Sequence, residues 1–307
     1  MFDKIRESRA KSWLVGIACL VLFVVVVGYL VEAGRTVPLP PIMRITVDPT
    51  SKAQHLEVPL LRYTKGSHFK EQIVVDFVGA VHLGERTYYG DLNKRFTAYD
   101  AVLFELISDG THLPTMGEER PDSILGTIQR AFSNLLGLSF QLDEVNYRAK
   151  NFVHADLSPE ELRDAMAARG ESLPQLLMKV IKLSTDPEMR KALEARGFKD
   201  DFLVGVNPLL ILLRGPTDED RIKIRRFMAQ GLVGSDAVMK MLEGEKGFSL
   251  ITDRNGAVMA VLNKETALGK RRVAIFYGVG HLPDLHKRLT EQDYRLEKVE
   301  WLNAWNM

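Results

Sequence analysis

Two histidines in this chain each follow a glycine by three residues, both times where an apolar run ends. The first lies in Val74-Val-Asp-Phe-Val-Gly79-Ala-Val-His82-Leu-Gly-Glu85, the second in Val273-Ala-Ile-Phe-Tyr-Gly278-Val-Gly-His281-Leu-Pro-Asp284. In register they share Val, Phe, Gly, His, Leu and a closing acid. A β-rich run, then Gly-x-x-His, then helix-forming sequence describes a strand that delivers an imidazole at its carboxyl end. Open α/β sheets bind their ligands at those ends. Two deliveries from opposite ends of the chain predict one shared site. The plainer alternative is a pair of strand-end histidines that cap the helices after them.

Glu105 interrupts Ala101-Val-Leu-Phe-Glu-Leu-Ile107, a run hydrophobic enough for a central strand. A carboxylate buried there without a partner costs several kcal/mol, so it needs a cation, a metal or a functional protonation state. An edge-strand glutamate facing water is the bland alternative. Arg254, followed by Asn255 and preceding the second motif, could bind a substrate carboxylate or an oxyanion, or be a surface ion-pair residue. His154 and Asp156 bracket Ala155 at strand spacing, which points both to one face. They join the site or form a cap-and-strand coincidence. Glu85 and Asp284 fall in first helical turns, where the helix dipole favours negative charge.

The only cysteine, Cys19, lies in an apolar N-terminal segment. Disulfides, thiolate metal sites and a cysteine nucleophile are therefore excluded from the rest of the chain. Any metal must be held by His, Asp or Glu. His82, His281 and Glu105 suit a divalent ion such as Mn, Co, Zn or Fe. The same three side chains equally suit a base, an acid and an orienter with no metal.

The elements that must position these residues follow from periodicity. Met43–Val47, Leu56–Tyr63 and Gln72–Val78 read as strands, with a turn at Lys65-Gly-Ser67. Glu85–Tyr99 reads as a helix burying Tyr88, Leu92 and Phe96, and Ala101–Ile107 as the next strand, a parallel unit with a helical crossover. From about residue 120 to 247 the signals are mostly helical. Ser158 caps a helix with Pro159 in its first turn and Gly170 at its end. Leu173, Leu176, Leu177, Val180 and Ile181 follow a core-facing helical pattern. Asp186-Pro187 and Thr217–Asp220 open two more helices, and Asn151–Asp156 reads as a short strand. Leu250–Leu268 is helical, Arg271–Tyr277 a strand, Leu282–Glu291 a helix and Tyr294–Trp301 a closing strand. The fold class is α/β, with a mixed, mostly parallel sheet built from the N- and C-terminal thirds and a helical insertion between them.

One transmembrane helix precedes that domain. Residues 12–31 are apolar and uncharged, long enough to cross a ~30 Å hydrocarbon core. Lys4, Arg6, Arg9 and Lys11 precede them, which places the N-terminus in the cytoplasm and the bulk of the chain outside it. The core is too long, and Val31-Glu-Ala-Gly34 too poor an exit, for a cleaved signal peptide. The chain thus reads as a cytoplasmic tail (1–11), a signal anchor in the lipid bilayer (12–31), a Pro-rich spacer (32–42) and an α/β domain (43–307). The net charge of +1 gives no reason to expect a nucleic acid partner. Arg221-Ile-Lys-Ile-Arg-Arg226 is the wet side of an amphipathic helix.

Taken in order, Gly79-Ala-Val-His82, Glu105 in Leu103-Phe-Glu-Leu, Arg254-Asn255 with Met259 downstream, and Gly278-Val-Gly-His281 resemble the TraB/GumN/TIKI family, within the wider erythromycin-esterase/ChaN-like group. The resemblance covers about residues 70–107 and 250–300. It implies a membrane-tethered or exported α/β protein with its site between the two motif strands, and a divalent-metal-dependent hydrolase acting on a peptide or protein. By motif position His82, Glu105 and His281 form the core of the site, with Arg254 and Asn255 in support. The Leu-Pro-Asp after His281 departs from the small or glycine-containing turn of that pattern. Two other readings remain: a module that binds metal, haem or a small ligand without turnover, and an envelope protein whose helical block is the working surface.

Overall fold

The computed structural model describes residues 37–66, 72–117, 124–172, 213–233 and 248–307, with scattered positions between 174 and 211. The described residues from Leu39 to Met307 belong to one compact unit. The expected membrane span at 12–31 lies outside the described residues, as does the Leu173–Ile181 pattern. Among the described residues no helix is long and apolar enough to cross a membrane.

In chain order the elements are β1 (Arg44–Val47), β2 (Gln54–Lys65), β3 (Ile73–Ala80), β4 (Leu83–Gly84), α1 (Arg86–Phe96), β5 (Ala101–Phe104), α2 (Ile124–Leu136), β6 (Ser139–Phe140), α3 (Gln141–Glu144), β7 (Phe152–His154) and α4 (Pro159–Ala168). After them come α5 (Asp218–Val233), α6 (Ser249–Ala267), β8 (Arg272–Gly278), a 3₁₀ turn (Val279–His281), α7 (Leu282–Glu291) and β9 (Arg295–Asn306). The seven-stranded sheet has the order β1-β2-β3-β8-β5-β7, with β9 on the other edge of β2. β2 runs antiparallel to β1, β3 and β9, while β3–β8, β8–β5 and β5–β7 are parallel. Only β2 therefore opposes the common direction, and the sheet is mixed and mostly parallel.

β3 and β8 are neighbours, with Gly79 opposite Tyr277 and Ala80 opposite Gly278. Both motif turns consequently leave the same carboxyl edge. β8 inserts between β3 and β5, which packs its Val273-Ala-Ile-Phe-Tyr277 run from both faces and accounts for its unbroken hydrophobicity. The sheet is not built from the chain's outer thirds alone. Edge strand β7 comes from inside the expected helical block, because Phe152 and Val153 pair with Val102 and Leu103 while Phe152 packs on Phe96 and Phe104.

Alternation along the strands assigns the two faces. Phe104 and Phe276 meet α1 and its surroundings through Phe96 and Tyr147. Glu105 and Tyr277 point the other way, toward α6 and the 3₁₀ turn. The short helix signals hold as expected. Ser158 and Glu161 form a reciprocal capping box at α4, and Gly170 ends that segment at φ 69°. Thr217 and Asp220 cap α5 in the same reciprocal way.

Candidate functional site

Glu105 sits one residue beyond β5, not within a central strand as the run 101–107 implied. Its N–H still donates to Phe276 O at 3.2 Å, so the backbone stays seated on β8 while the carboxylate turns to the α6 face. The Gly278 N–H donates to Oε2 at 2.6 Å and Arg254 Nη2 to Oε1 at 2.8 Å. His281 Nε2 lies 3.5 Å from the same Oε1. Burial alone would push the Glu105 carboxyl up. The His281 imidazole, the Arg254 guanidinium and the Gly278 N–H outweigh it and hold the group well below the usual carboxylate range.

Gly278 has a steric reason to be glycine. A Cβ there would lie 3.2 Å from Glu105 Oε2 and 3.8 Å from His281 Cδ2, inside the group. Gly79 answers a different close approach. Its Cβ would lie 2.8 Å from Val279 and 2.9 Å from the carbonyl oxygen of Pro59, so the first turn can pass β8 and β2 only without a side chain.

Arg254 and Asn255 are consecutive on α6 and diverge by the helical step of about 100°. Arg254 faces the end of β7 and donates to both oxygens of Asp156, at 2.9 and 2.6 Å. Asp156 is 9% exposed and its side chain is fully enclosed, so the bidentate pair is a buried one. With Nε and Nη2 on the two carboxylates, the guanidinium holds Glu105 rather than standing free for an oxyanion. Asn255 is fully buried and faces the 3₁₀ turn. Its Oδ1 lies 2.7 Å from His281 Nδ1, and its Nδ2 donates to Asp284 Oδ2 at 2.8 Å and to His281 O at 3.3 Å. Arg288 donates to Asp284 from one turn further along α7. Tyr277 stacks edge-on against His281 and donates its hydroxyl to Ala155 O.

Of the predicted residues, Glu105, His281, Arg254, Asn255 and Asp156 form one buried polar group, with Gly278 at its floor. His82 and His154 are not in it. His82 leaves the neighbouring strand on the same edge, but its ring is exposed and, among the described residues, has no hydrogen-bond or ion-pair partner. The turn around it is firmly tied through its backbone: Tyr88 donates to Gly79 O, Tyr89 to Val81 O, Gln141 N to His82 O and Trp305 Nε1 to Leu83 O. His154 does not share a role with Asp156, because β7 ends at His154 and the strand alternation lapses before Asp156. Its Nε2 meets Leu106 O at 2.7 Å and fastens the loop after Glu105.

Asp284 lies in the first turn of α7 as expected, whereas Glu85 is the residue just before α1 rather than in its first turn, and both acids do more than complement a helix dipole. Asp284 anchors Asn255. Glu85 accepts from Arg225 of α5 at 2.8 Å and from Asn306 N at 3.2 Å, which ties the first motif to the inserted segment and to β9. The acid at His+3 in both motifs was the sequence signal for these anchors.

A divalent ion meets a mixed fit. The 3.5 Å between His281 Nε2 and Glu105 Oε1 suits two adjacent ligands with bonds of about 2.1 Å. Arg254 shares that oxygen, however, and among the described residues no three of His, Cys, Asp or Glu converge to hold an ion.

The fold and the group at the strand ends define an α/β protein with a buried His–Glu–Arg site at the carboxyl edge of its parallel strands. No protein-family model, curated protein or solved structure matches this chain.

Proposed function

We propose that this chain is a hydrolase of the TraB/GumN/TIKI type, tethered by residues 12–31 to a membrane with its α/β domain outside the cytoplasm, and that it cleaves a peptide bond. The observation that carries the reading is the His281–Glu105 pair. One ring nitrogen of His281 is held by Asn255 and the other faces a carboxylate kept ionised in a buried setting. The peptide class rests on the family resemblance alone, a weaker warrant than the site's chemistry.

In this reading His281 Nε2 takes a proton from water as that water attacks the carbonyl carbon. Glu105 stabilises the imidazolium so formed, and Nε2 returns the proton to the leaving amine. Arg254 acts through Glu105, keeping it charged and aimed. The second reading, a metal-dependent form of the same reaction, is favoured by the ligand-like 3.5 Å spacing. There His281 Nε2 and Glu105 Oε1 would hold a divalent ion between them. Such an ion supplies a lowered water pKa and carbonyl polarisation.

The test is turnover of peptide and ester libraries by the detergent-solubilised full chain, with and without chelator, beside His281→Ala and Glu105→Gln. Loss of an acid–base group should cost about 10²-fold or more. Undiminished turnover in both variants would refute the hydrolytic site. Activity that survives the chelator, with no metal found by elemental analysis, would remove the metal-dependent form alone.

A further inference from the structure

We infer that the outer edge of β9 pairs with the same edge of a second copy of this chain, antiparallel across a two-fold axis at Val299. The inference does not rest on the hydrolytic reading. Its basis is the direction in which the backbone of β9 points. Gln54 and Met307 exchange N–H···O bonds at 2.8 and 2.7 Å. From that pair, hydrogen-bonded and non-hydrogen-bonded pairs alternate along the antiparallel ladder. β2 takes part residue by residue, and the two register shifts fall on β9, at Ala304 and Glu297. Residues of β2 in step with Gln54 therefore turn toward β9, while Glu57, Pro59 and Leu61 turn away. Pro59 agrees, since it has no N–H to give and its carbonyl oxygen faces Gly79 of β3. Asn303, Trp301 and Val299, the partners of those three, consequently point their N–H and C=O out of the sheet. Among the described residues β9 has β2 as its only strand neighbour. A row of free backbone groups is a template for another strand. Elsewhere the fold closes this edge itself: Glu85 N donates to Ala304 O at 2.9 Å, Asn306 N to Glu85 Oε1 at 3.2 Å and Arg225 to Asn306 O at 2.8 Å. What stays open is the regular run 298–303 between the two shifts.

Charge complementarity selects a second copy and fixes its register. With Val299 on the axis, Lys298 faces the partner's Glu300 and Glu300 faces the partner's Lys298. Both are opposite-charge pairs at the closer, non-hydrogen-bonded spacing of about 4.5 Å between Cα atoms. Centred one residue later, Glu300 would face Glu300, and centred one residue earlier, Lys298 would face Lys298. Lys298 is 62% exposed, so its amine can reach across, while Arg95 at 2.6 Å keeps Glu300 in place. The closed part of the edge selects the same register independently. With Val299 on the axis the partner's strand begins at Arg295, opposite Asn303, and stops short of Ala304. A shift toward the carboxyl end would drive that strand into Glu85 and Arg225. The contact is isologous and joins two seven-stranded sheets into one. The His281–Glu105 group, at the ends of β8 and β5, lies away from this edge on both protomers.

The test is the mass of the full chain in detergent, by light scattering and sedimentation across a dilution series. Wild type should pass from dimer to monomer on dilution. Lys298→Glu sets glutamate against glutamate, and Glu300→Lys sets lysine against lysine. Each alone should be monomeric at concentrations where wild type is a dimer. Mixed in equal amounts the two variants should pair with each other, because every facing pair is again of opposite charge, and that recovery separates lost pairing from lost fold. Cross-linking checks the register. In a Cys19→Ser background, Val299→Cys should give a disulfide-linked dimer on mild oxidation, since Cα atoms about 5.5 Å apart allow the bond. Asn303→Cys should not, because its two copies stand eight residues apart along the strands, roughly 26 Å. A wild type that is monomeric at every concentration would overturn the inference. So would a dimer that both charge variants leave intact, which would place the contact elsewhere, such as in the membrane segment. A mixture that stays monomeric, or cross-linking at 303 in place of 299, would overturn it as well.

Discussion

Arg254→Met should be among the most destabilising single changes in the described part of this chain. Its guanidinium stands between two carboxylates, bonded to both oxygens of Asp156 and to one of Glu105. The side chains of Arg254, Asp156 and Glu105 are 9%, 0% and 13% exposed, so solvent screens the three charges little. Methionine fills similar volume but leaves both carboxylates facing each other without their cation. Removing one member of a buried ion pair costs about 3–5 kcal/mol. Two carboxylates share this one cation, which argues for the upper end. At about 2–4 °C per kcal/mol for a domain of this size, the melting midpoint should fall by roughly 6–20 °C.

The acid limb of the stability curve supplies a second readout. Glu105 has its folded pKa depressed, so its contribution is present above the ordinary carboxylate value of about 4.3 and is lost as pH falls through the lower folded value. Without Arg254 burial is opposed less, the folded pKa of Glu105 rises, and the acid loss should be smaller and complete at higher pH. Adding Asp156→Leu to Arg254→Met removes one of the stranded charges and should restore about 0.5–3 kcal/mol relative to the sum of the single changes. Thermal and urea unfolding of the full chain in detergent, followed by near-UV circular dichroism across pH 3–8, checks all three expectations. An Arg254→Met midpoint within about 2 °C of wild type, with an unmoved acid limb, would mean that the pairs are solvated and that the buried-network argument is wrong.

Three further changes test the steric and capping parts of the reading. Gly278→Ala fits its backbone at φ −52° but places a Cβ 3.2 Å from Glu105 Oε2, so it should lower turnover roughly 10²-fold with little change in melting. Gly79→Ala meets the carbonyl oxygen of Pro59 at 2.9 Å, a backbone atom held in β2. It should instead cost about 1–3 kcal/mol of stability, seen in a urea titration. Ser158→Ala removes the capping box of α4 and should cost about 1 kcal/mol, with hydrogen exchange quickened at Glu160 and Glu161 and unchanged in α7.

Local signals in the sequence carried the elements well, because they depend on neighbours a few residues apart. The Ser158–Glu161 box, Pro159, Gly170 and the Tyr88, Leu92, Phe96 spacing need no tertiary information, and the bounds of α7 follow from Pro283 and the apolar stripe Leu282, Leu285, Leu289. The order of strands does not lie in such signals. That β8 inserts between β3 and β5 is decided by which hydrophobic faces bury best together. Val273–Tyr277 hints at it only through being apolar on both faces. The same limit applies to the site. Glu105, Arg254 and His281 stood out as charged or titratable residues in apolar settings. Their partners were less plain: Asp156 showed only through its strand spacing from His154, which a cap-and-strand coincidence explains just as well, and Asp284 only as an acid near a helix start, which the helix dipole explains just as well. Only their distances to Arg254 and Asn255 separate the two explanations. His82 is the converse case: its motif is as clear as that of His281, yet its ring faces solvent while its backbone is what the fold holds.

Charge balance links the two forms of the proposed chemistry. Within the buried group Glu105 and Asp156 bring two carboxylates and Arg254 one guanidinium, while Asp284 is matched separately by Arg288. One negative charge is left over, on the face of Glu105 that looks at His281 Nε2. A buried uncompensated carboxylate costs several kcal/mol, so the group favours whatever cation forms or arrives at that point. A proton taken up by His281 would be such a cation, and so would a divalent ion shared by Nε2 and Oε1. The site is therefore biased toward positive charge at one position, and water deprotonation at His281 places it there. Glu105→Gln removes the bias while keeping size and shape. Its effect should thus appear in turnover or metal affinity and not in the packing of β5 against β8.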